Sequence, residues 1–206
     1  MHLLFSTGSP FARIVRIALL ETGLDQNVTK QEITRQRLYS PESEVLTLNP
    51  VGRVPTLRLD DGTILTESKL ILDFIDVLNP GRKLLPRDGS DGWRILAELG
   101  QALGLLEGII TWLRALRLPN QETIEAIVAK EIIRVNRAAD ALDNAVTAGG
   151  FAGPMNAAQI VLGSALGLVE VRLTAWKWRH ERSKLSAWYD SIASMPSFRA
   201  TEPPPL

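Results

Sequence analysis

Three hydroxyls, on Ser6, Thr7 and Ser9, lead into an apolar helical pattern in the stretch STGSPFARIVRIALLETG. Ser9 is followed by Pro10, a common opening for a helix, with serine as N-cap and proline at the first helical position. The same position suits a reacting group that carries negative charge. A hydroxyl can donate one hydrogen bond to it, and the positive end of the helix adds attraction. Gly8 lets a backbone N–H come close to such a group. Capping and chemistry are compatible roles for Ser9, so the choice between them falls to the rest of the chain.

Other chemistries are narrowed by what the chain lacks. It has 206 residues and no cysteine, which excludes disulfides and any mechanism with an enzyme thiol. Its two histidines, His2 and His180, stand in no metal-ligand spacing, so no metal site is expected. Lys plus Arg equal Asp plus Glu at 23 each, and no long run of like charge appears. A phosphate-directed basic face needs clustered Lys and Arg, so no nucleic-acid partner is expected. The short stretch TAWKWRHERSK mixes aromatics with bases and reads as a solvated helix end. The chain passes from Met1 straight into His2-Leu3-Leu4-Phe5 without a basic n-region, so no secretory signal is expected. The apolar stretch Ala157–Leu173 carries Gln159, Ser164, Glu170 and Arg172, and reads as a buried core helix rather than a membrane span.

These groups have to be positioned by the elements around them. His2–Phe5 reads as a short buried strand. Phe11, Ile14, Val15, Ala18 and Leu19 then mark a helix, with Arg13 and Arg16 on another face and Gly23 as the stop. Asn27–Ile33 reads as a weak second strand. Residues 34–50 are polar and irregular, with one short helix expected near Ser40–Leu46. Leu57 and Leu59, then Ile64 and Leu65, flank Asp61-Gly62, a strong hairpin signal. Leu70, Phe74 and Leu78, widened by Ile71 and Ile75, mark the next helix.

The Pro- and Gly-rich residues 79–90 read as a linker. Beyond it every periodic segment is helical. Trp93, Leu96, Leu99, Leu103, Leu106, Ile110 and Leu113 form one stripe, and Ile124, Ile127, Val128, Ile132, Val135, Ala139, Leu142 and Val146 another. Asn156 and Gln159 have capping-box spacing. A last helix is expected near Leu185–Ser194, ending at Pro196. The reading is a mixed α/β region over 1–78, a linker over 79–90, and an all-α region over 91–206.

In this order the motifs SPFARIVRIAL, NPVGRVPTL and LTES, with LLPRD and the terminal MPSFRATEPPP, resemble the cytosolic glutathione S-transferase family. The resemblance covers essentially the whole chain and is closest to serine-type bacterial members. It implies a thioredoxin-like N-terminal domain that binds glutathione, followed by an all-helical domain. It also implies a cytoplasmic homodimer with no membrane partner, acting in detoxification.

The resemblance assigns roles by position. Ser9 matches the serine that activates the glutathione thiol, with Ser6 and Thr7 as rival hydroxyls. Val54, before a Pro55 that the resemblance implies is cis, would pair its backbone with the cysteinyl unit in a strand-like manner. Otherwise Pro55 simply opens an edge strand. Glu67 and Ser68 match the pair that holds the γ-glutamyl group, although an acid and a serine at a helix start are commonplace. Arg53 stands where members often carry lysine, and either meets the glycyl carboxylate or remains a solvated charge. Phe11, Trp112 and Leu116 are candidates for the wall of the acceptor pocket, and Trp112 also suits core packing, as do Trp176, Trp178 and Trp188. Asn156 and Gln159 replace the family's Ser or Thr with Asp.

The expected activity is glutathione transfer to electrophilic, largely apolar substrates, with peroxidase or dehalogenase activity from the same thiolate. The alternative is a non-catalytic protein of the same fold that binds glutathione or a partner. A further alternative is an interaction protein that binds no glutathione.

Overall fold

The computed structural model describes residues 1–81 and 83–205, so Arg82 of the expected linker and Leu206 lie outside the described residues. The chain divides into two units: Met1–Leu85 together with Pro196–Pro204, and the helical stretch from Pro86 to Met195. The division falls inside 79–90, and Pro196–Pro204 groups with the first unit although it follows the last long helix.

The first unit is built on a four-stranded mixed sheet in the order β2-β1-β3-β4, a thioredoxin-like arrangement. The strands are β1 (His2–Phe5), β2 (Thr29–Glu32), β3 (Thr56–Arg58) and β4 (Ile64–Thr66). β1 pairs parallel to β2 and antiparallel to β3, and β3 pairs antiparallel to β4. The Asp61-Gly62 signal becomes the hairpin turn: Gly62 takes φ +90° and donates its N–H to Leu59 O at 3.1 Å.

Helices α1 (Pro10–Glu21) and α4 (Ser68–Leu78) pack against each other. They bury Ile14, Val15, Ile17 and Ala18 from α1, and Ile71, Leu72 and Ile75 from α4. α1 stops where the sequence says it should: Thr22 Oγ1 donates to Ala18 O at 2.7 Å, and Gly23 adopts the left-handed φ of +70°. After α4, buried Asp76 accepts the N–H groups of Leu84 at 2.6 Å and Leu85 at 3.1 Å, fixing the chain before the division.

The single short helix expected near Ser40–Leu46 is two helices, α2 (Arg35–Leu38) and α3 (Glu44–Leu48). Thr34 and Ser43 cap them, and Arg37 Nε donates to Glu44 at 2.9 Å. Each is at most five residues long, too short to display a helical repeat, so only the caps announce them.

The second unit contains α5 (Gly89–Ala115), α6 (Gln121–Thr147), α7 (Ala157–Arg172) and α8 (Ser183–Ala193). Every residue of α7 from Ala157 to Val169 is buried. α5 is long and apolar enough to cross a membrane, and half of that apolar stretch is buried. Its buried face runs through Gly92, Ile95, Leu99, Ala102, Leu106, Ile109 and Trp112. That is rotated from the expected stripe, and Trp93 is 71% exposed. α5 is apolar on more than one side, so periodicity alone did not select the packed face. Pro196 does end the run of α8, and it also opens α9 (Pro196–Arg199) in the first unit.

Candidate functional site

β1 ends at Phe5, and the chain turns through Ser6–Ser9 into α1. Ser9 has extended backbone (φ −93°, ψ 118°), and its Oγ accepts the Ala12 N–H at 3.2 Å. It is therefore the N-cap, with Pro10 at the first helical position. A hydroxyl that accepts through a lone pair keeps its hydrogen to donate elsewhere, so the cap does not use up Ser9. Thr7 differs. Its hydroxyl donates to Glu32 at 2.6 Å, which commits its hydrogen to that carboxylate. Ser6 is 9% exposed, and its carbonyl accepts the Ser9 N–H at 3.0 Å. Of the three hydroxyls, Ser9 combines partial exposure with a donor left over.

The second wall is the turn from Asn49 to Thr56. Buried Asn49 uses its whole amide to shape it. Its Nδ2 donates to Arg53 O and to Thr56 Oγ1, both at 3.0 Å, and its Oδ1 accepts the Val51 N–H at 3.0 Å. The Val54–Pro55 peptide is cis. The Val54 side chain is anchored in a cluster with Leu4, Ile33 and Val45. Among the described residues its backbone N–H and C=O enter no hydrogen bond. A nearly buried residue with an unused donor and acceptor is rare unless a ligand or water completes it. Arg53 projects an exposed side chain while its carbonyl holds the turn.

The third wall follows β4. Glu67 has φ +65°, a strained value for a residue with a side chain, and then Ser68 opens α4. Glu67 is exposed and Ser68 is buried. No side chain caps the first turn of this eleven-residue helix, so its free N–H groups and the Ser68 hydroxyl form a place for a carboxylate.

Strand register brings these walls together. Leu4 pairs with Thr56, and Thr56 with Thr66. The loop after β1, the Val54–Pro55 turn before β3, and the Glu67-Ser68 pair after β4 therefore emerge at one end of the sheet. A cavity of about 530 Å³, lined by Met1, His2, Arg58 and Asp60, opens at the opposite end of the strands. Two of its charges already neutralise each other, the Met1 ammonium and Asp60 at 2.7 Å, so it is not a rival site.

Charge near the first wall comes from Glu32, which holds Thr7, and from Arg16, whose guanidinium stands over the Phe5 ring. Burial pushes that guanidinium below the usual arginine value, and Glu32 and Asp25 oppose that shift. Beside the second wall, the hydrogen bond from Arg37 holds the Glu44 carboxyl below the usual range.

The expected acceptor residues fall in different units. Phe11 is half-buried on α1. Trp112 is buried in the helical unit, its ring centroid 6.1 Å from that of Trp176, whose indole N–H donates to Asn136 at 3.1 Å. Leu116 closes α5 and is 49% exposed. Asn49, Glu32 and Thr56 support the site and are missed by the motif reading. Asn49-Pro50 was a legible turn signal for the first of them.

Residues 8–78 match the family model of the glutathione S-transferase N-terminal domain. Over essentially the whole chain, identity is 33% to a glutathione transferase family member of Pseudomonas fluorescens Pf-5. Its crystal structure with bound S-(propanoic acid)-glutathione aligns at a TM-score of 0.86, covering 99% of this chain and 100% of that one. This chain belongs to the glutathione S-transferase family. A second structure of that Pseudomonas protein, with bound glutathione, aligns at a TM-score of 0.87 over 98% of both chains. A glutathione S-transferase of Methylobacillus flagellatus, solved with glutathione, is 26% identical at a TM-score of 0.87, covering 98% of this chain and 99% of that one. Among curated proteins, the GST-like protein YibF of Escherichia coli K12 is 28% identical over 205 residues, 99% of each chain.

Proposed function

We propose that this glutathione S-transferase family member binds glutathione through residues 1–78 and uses Ser9 to hold its sulfur as thiolate. A free thiol titrates near ~8.5, so only a small fraction is nucleophilic at pH 7. Lowering that pKa by two units takes roughly 2.7 kcal/mol of preferential stabilisation of the anion. The Ser9 O–H supplies one hydrogen bond to the sulfur, and the N-terminus of α1 supplies a favourable field. The single observation that carries this reading is the Ser9 hydroxyl: it caps α1 as an acceptor and still has its hydrogen to give.

The rest of glutathione follows the other two walls. The unused N–H and C=O of Val54 suit the cysteinyl unit. The uncapped α4 N-terminus with Ser68 suits the γ-glutamyl carboxylate, and Glu67 suits its ammonium. Arg53 serves the glycyl carboxylate. The relatives solved with glutathione and with S-(propanoic acid)-glutathione support glutathione as the ligand.

The bound thiolate attacks the electrophilic carbon of a largely apolar substrate. The sulfur forms the new bond, and the leaving group or π-bond takes the displaced electron pair. Peroxidase and dehalogenase activities would draw on the same thiolate. The protein acts as a serine-type member in detoxification, as a cytoplasmic homodimer. Titration calorimetry with glutathione on wild type, Val54→Pro and Ser68→Ala tests the binding half. Tight wild-type binding that weakens in both variants is expected. Unchanged binding in both would refute this placement of the peptide. Binding without turnover on any electrophile would leave a non-catalytic glutathione binder.

A further inference from the structure

Pro196–Pro204 returns to the first unit and lies against α1, which it meets at three side chains. Arg13 is 3% exposed. Its Nη2 donates to Phe198 O at 3.2 Å and its Nε to Thr201 Oγ1 at 3.4 Å, with the guanidinium 5.4 Å from the Phe198 ring centroid. Arg16 Nη2 donates to Ala200 O at 3.3 Å, and its guanidinium stands 4.8 Å from the ring of Phe5, the last residue of β1. Further along, the Ser197 hydroxyl donates to the Glu21 carboxylate. Phe198 and Thr201 are themselves almost fully buried.

The contacts are spread over most of α1, so they restrain its position and rotation together. Burying a guanidinium is costly unless its hydrogen bonds are made, and the short C-terminal segment supplies acceptors for Nε and Nη2 of Arg13. The route to the site is direct. Arg13 donates its own N–H to Ser9 O at 2.9 Å, which makes it the residue one turn below the N-cap. Arg16 touches both the segment and Phe5, so it ties α1 to the strand that leads into the Ser6–Ser9 loop.

We propose that Pro196–Pro204 is a positioning strap: through Arg13 and Arg16 it fixes the first turn of α1, and so the direction in which Ser9 presents its hydroxyl to the glutathione sulfur. This rests on the Ser9 reading given above. A hydrogen bond to an anion weakens steeply with misalignment, so a small rotation of α1 changes thiolate stabilisation while leaving the peptide contacts of glutathione in place. Arg13, Arg16 and Thr201 are positioning residues in this scheme and touch no substrate.

The test uses the full chain as wild type, Arg13→Gln, Arg13→Lys and Thr201→Val. Three quantities are read: the thiol pKa of bound glutathione by ultraviolet thiolate absorbance, the affinity for S-methylglutathione, and Tm. Arg13→Gln should raise the bound thiol pKa by about half a unit or more, with S-methylglutathione affinity changed by less than about threefold. Arg13→Lys should fall between Arg13→Gln and wild type, and Thr201→Val should shift the pKa in the same direction. If Arg13→Gln does not fold, Thr201→Val decides alone. A wild-type thiol pKa in the folded variants, with a lowered Tm, would make the strap purely structural and overturn the proposal. A wild-type protein that binds glutathione without lowering its thiol pKa would sink the Ser9 reading and the strap with it.

Discussion

Ser9 Oγ accepts the Ala12 N–H at 3.2 Å, which closes the first turn of α1 and leaves the Ser9 O–H pointing no further into the helix's own hydrogen bonding. Removing the hydroxyl therefore has a cost independent of any chemistry. Ser9→Ala should lower folding stability by about 1 kcal/mol, while Ser9→Thr should keep most of the cap. Urea denaturation of the ligand-free proteins checks this, and an unchanged midpoint for Ser9→Ala would mean that the cap is not formed.

Glu67 pairs strain with exposure. Its φ of +65° is one that glycine adopts freely, so Glu67→Gly should stabilise the protein or leave it unchanged, relieving strain of the order of 1 kcal/mol. Glutathione affinity should fall in the same variant because the carboxylate is gone. Glu67→Gln should lose affinity with no change in stability. Parallel denaturation and glutathione titration separate the two effects. A Glu67→Gly protein that is less stable than wild type would remove strain as the explanation.

Two glycines of α5 have opposite surroundings. A Cβ on Gly108 would stand 2.8 Å from Val135 Cγ1 on α6, whereas nothing lies within 4 Å of one on Gly104. Gly104→Ala should gain up to about 1 kcal/mol from helix propensity. Gly108→Ala earns the same propensity, but overpacking against fully buried Val135 costs about 1–3 kcal/mol, so it should be net destabilising. Thermal melts that rank Gly104→Ala below Gly108→Ala would contradict this packing.

Gln159 completes a capping box with Asn156, accepting the Asn156 N–H at 2.9 Å. It also donates Nε2 to Phe151 O at 2.9 Å and Gly153 O at 3.3 Å. A carboxylate there keeps the first bond, loses both others, and faces two carbonyls. Gln159→Glu should therefore destabilise by roughly 2 kcal/mol at neutral pH. The introduced acid is disfavoured as an anion only in the folded state, so its folded pKa is raised. The charge part of the penalty is absent well below the unfolded value of about 4.3 and grows as pH rises through it, while the loss of a donor remains at every pH. Stability measured against pH relative to wild type should show that approach at low pH. A constant difference would mean that the lost donor bonds alone, and not the carboxylate charge facing two carbonyls, carry the penalty.

The same contacts explain what was legible in the sequence. Ser9-Pro10, Gly23, Asp61-Gly62 and the Asn156–Gln159 pair each act within a few residues, so their roles could be read from spacing. The exposed face of Trp93 and the two short helices α2 and α3 could not be, because an all-round apolar helix and helices of four and five residues carry no usable periodicity. Within the candidate site, Ser9, Val54-Pro55 and Glu67-Ser68 were visible as motifs. Asn49 bonding to Arg53 and Thr56, and Glu32 holding Thr7, were not. Arg13 looked like a charge on a second helix face. Its acceptors lie 185 and 188 residues away, and no local pattern reports a partner at that separation.

The measurement that bears most directly on the account is the thiol pKa of bound glutathione, from ultraviolet thiolate absorbance against pH, in wild type and Ser9→Ala. If Ser9 holds the sulfur as thiolate, the wild-type value lies well below that of free glutathione and returns toward the free value in Ser9→Ala, with glutathione still bound. Equal pKa values in the two proteins would contradict it and reduce Ser9 to the cap of α1.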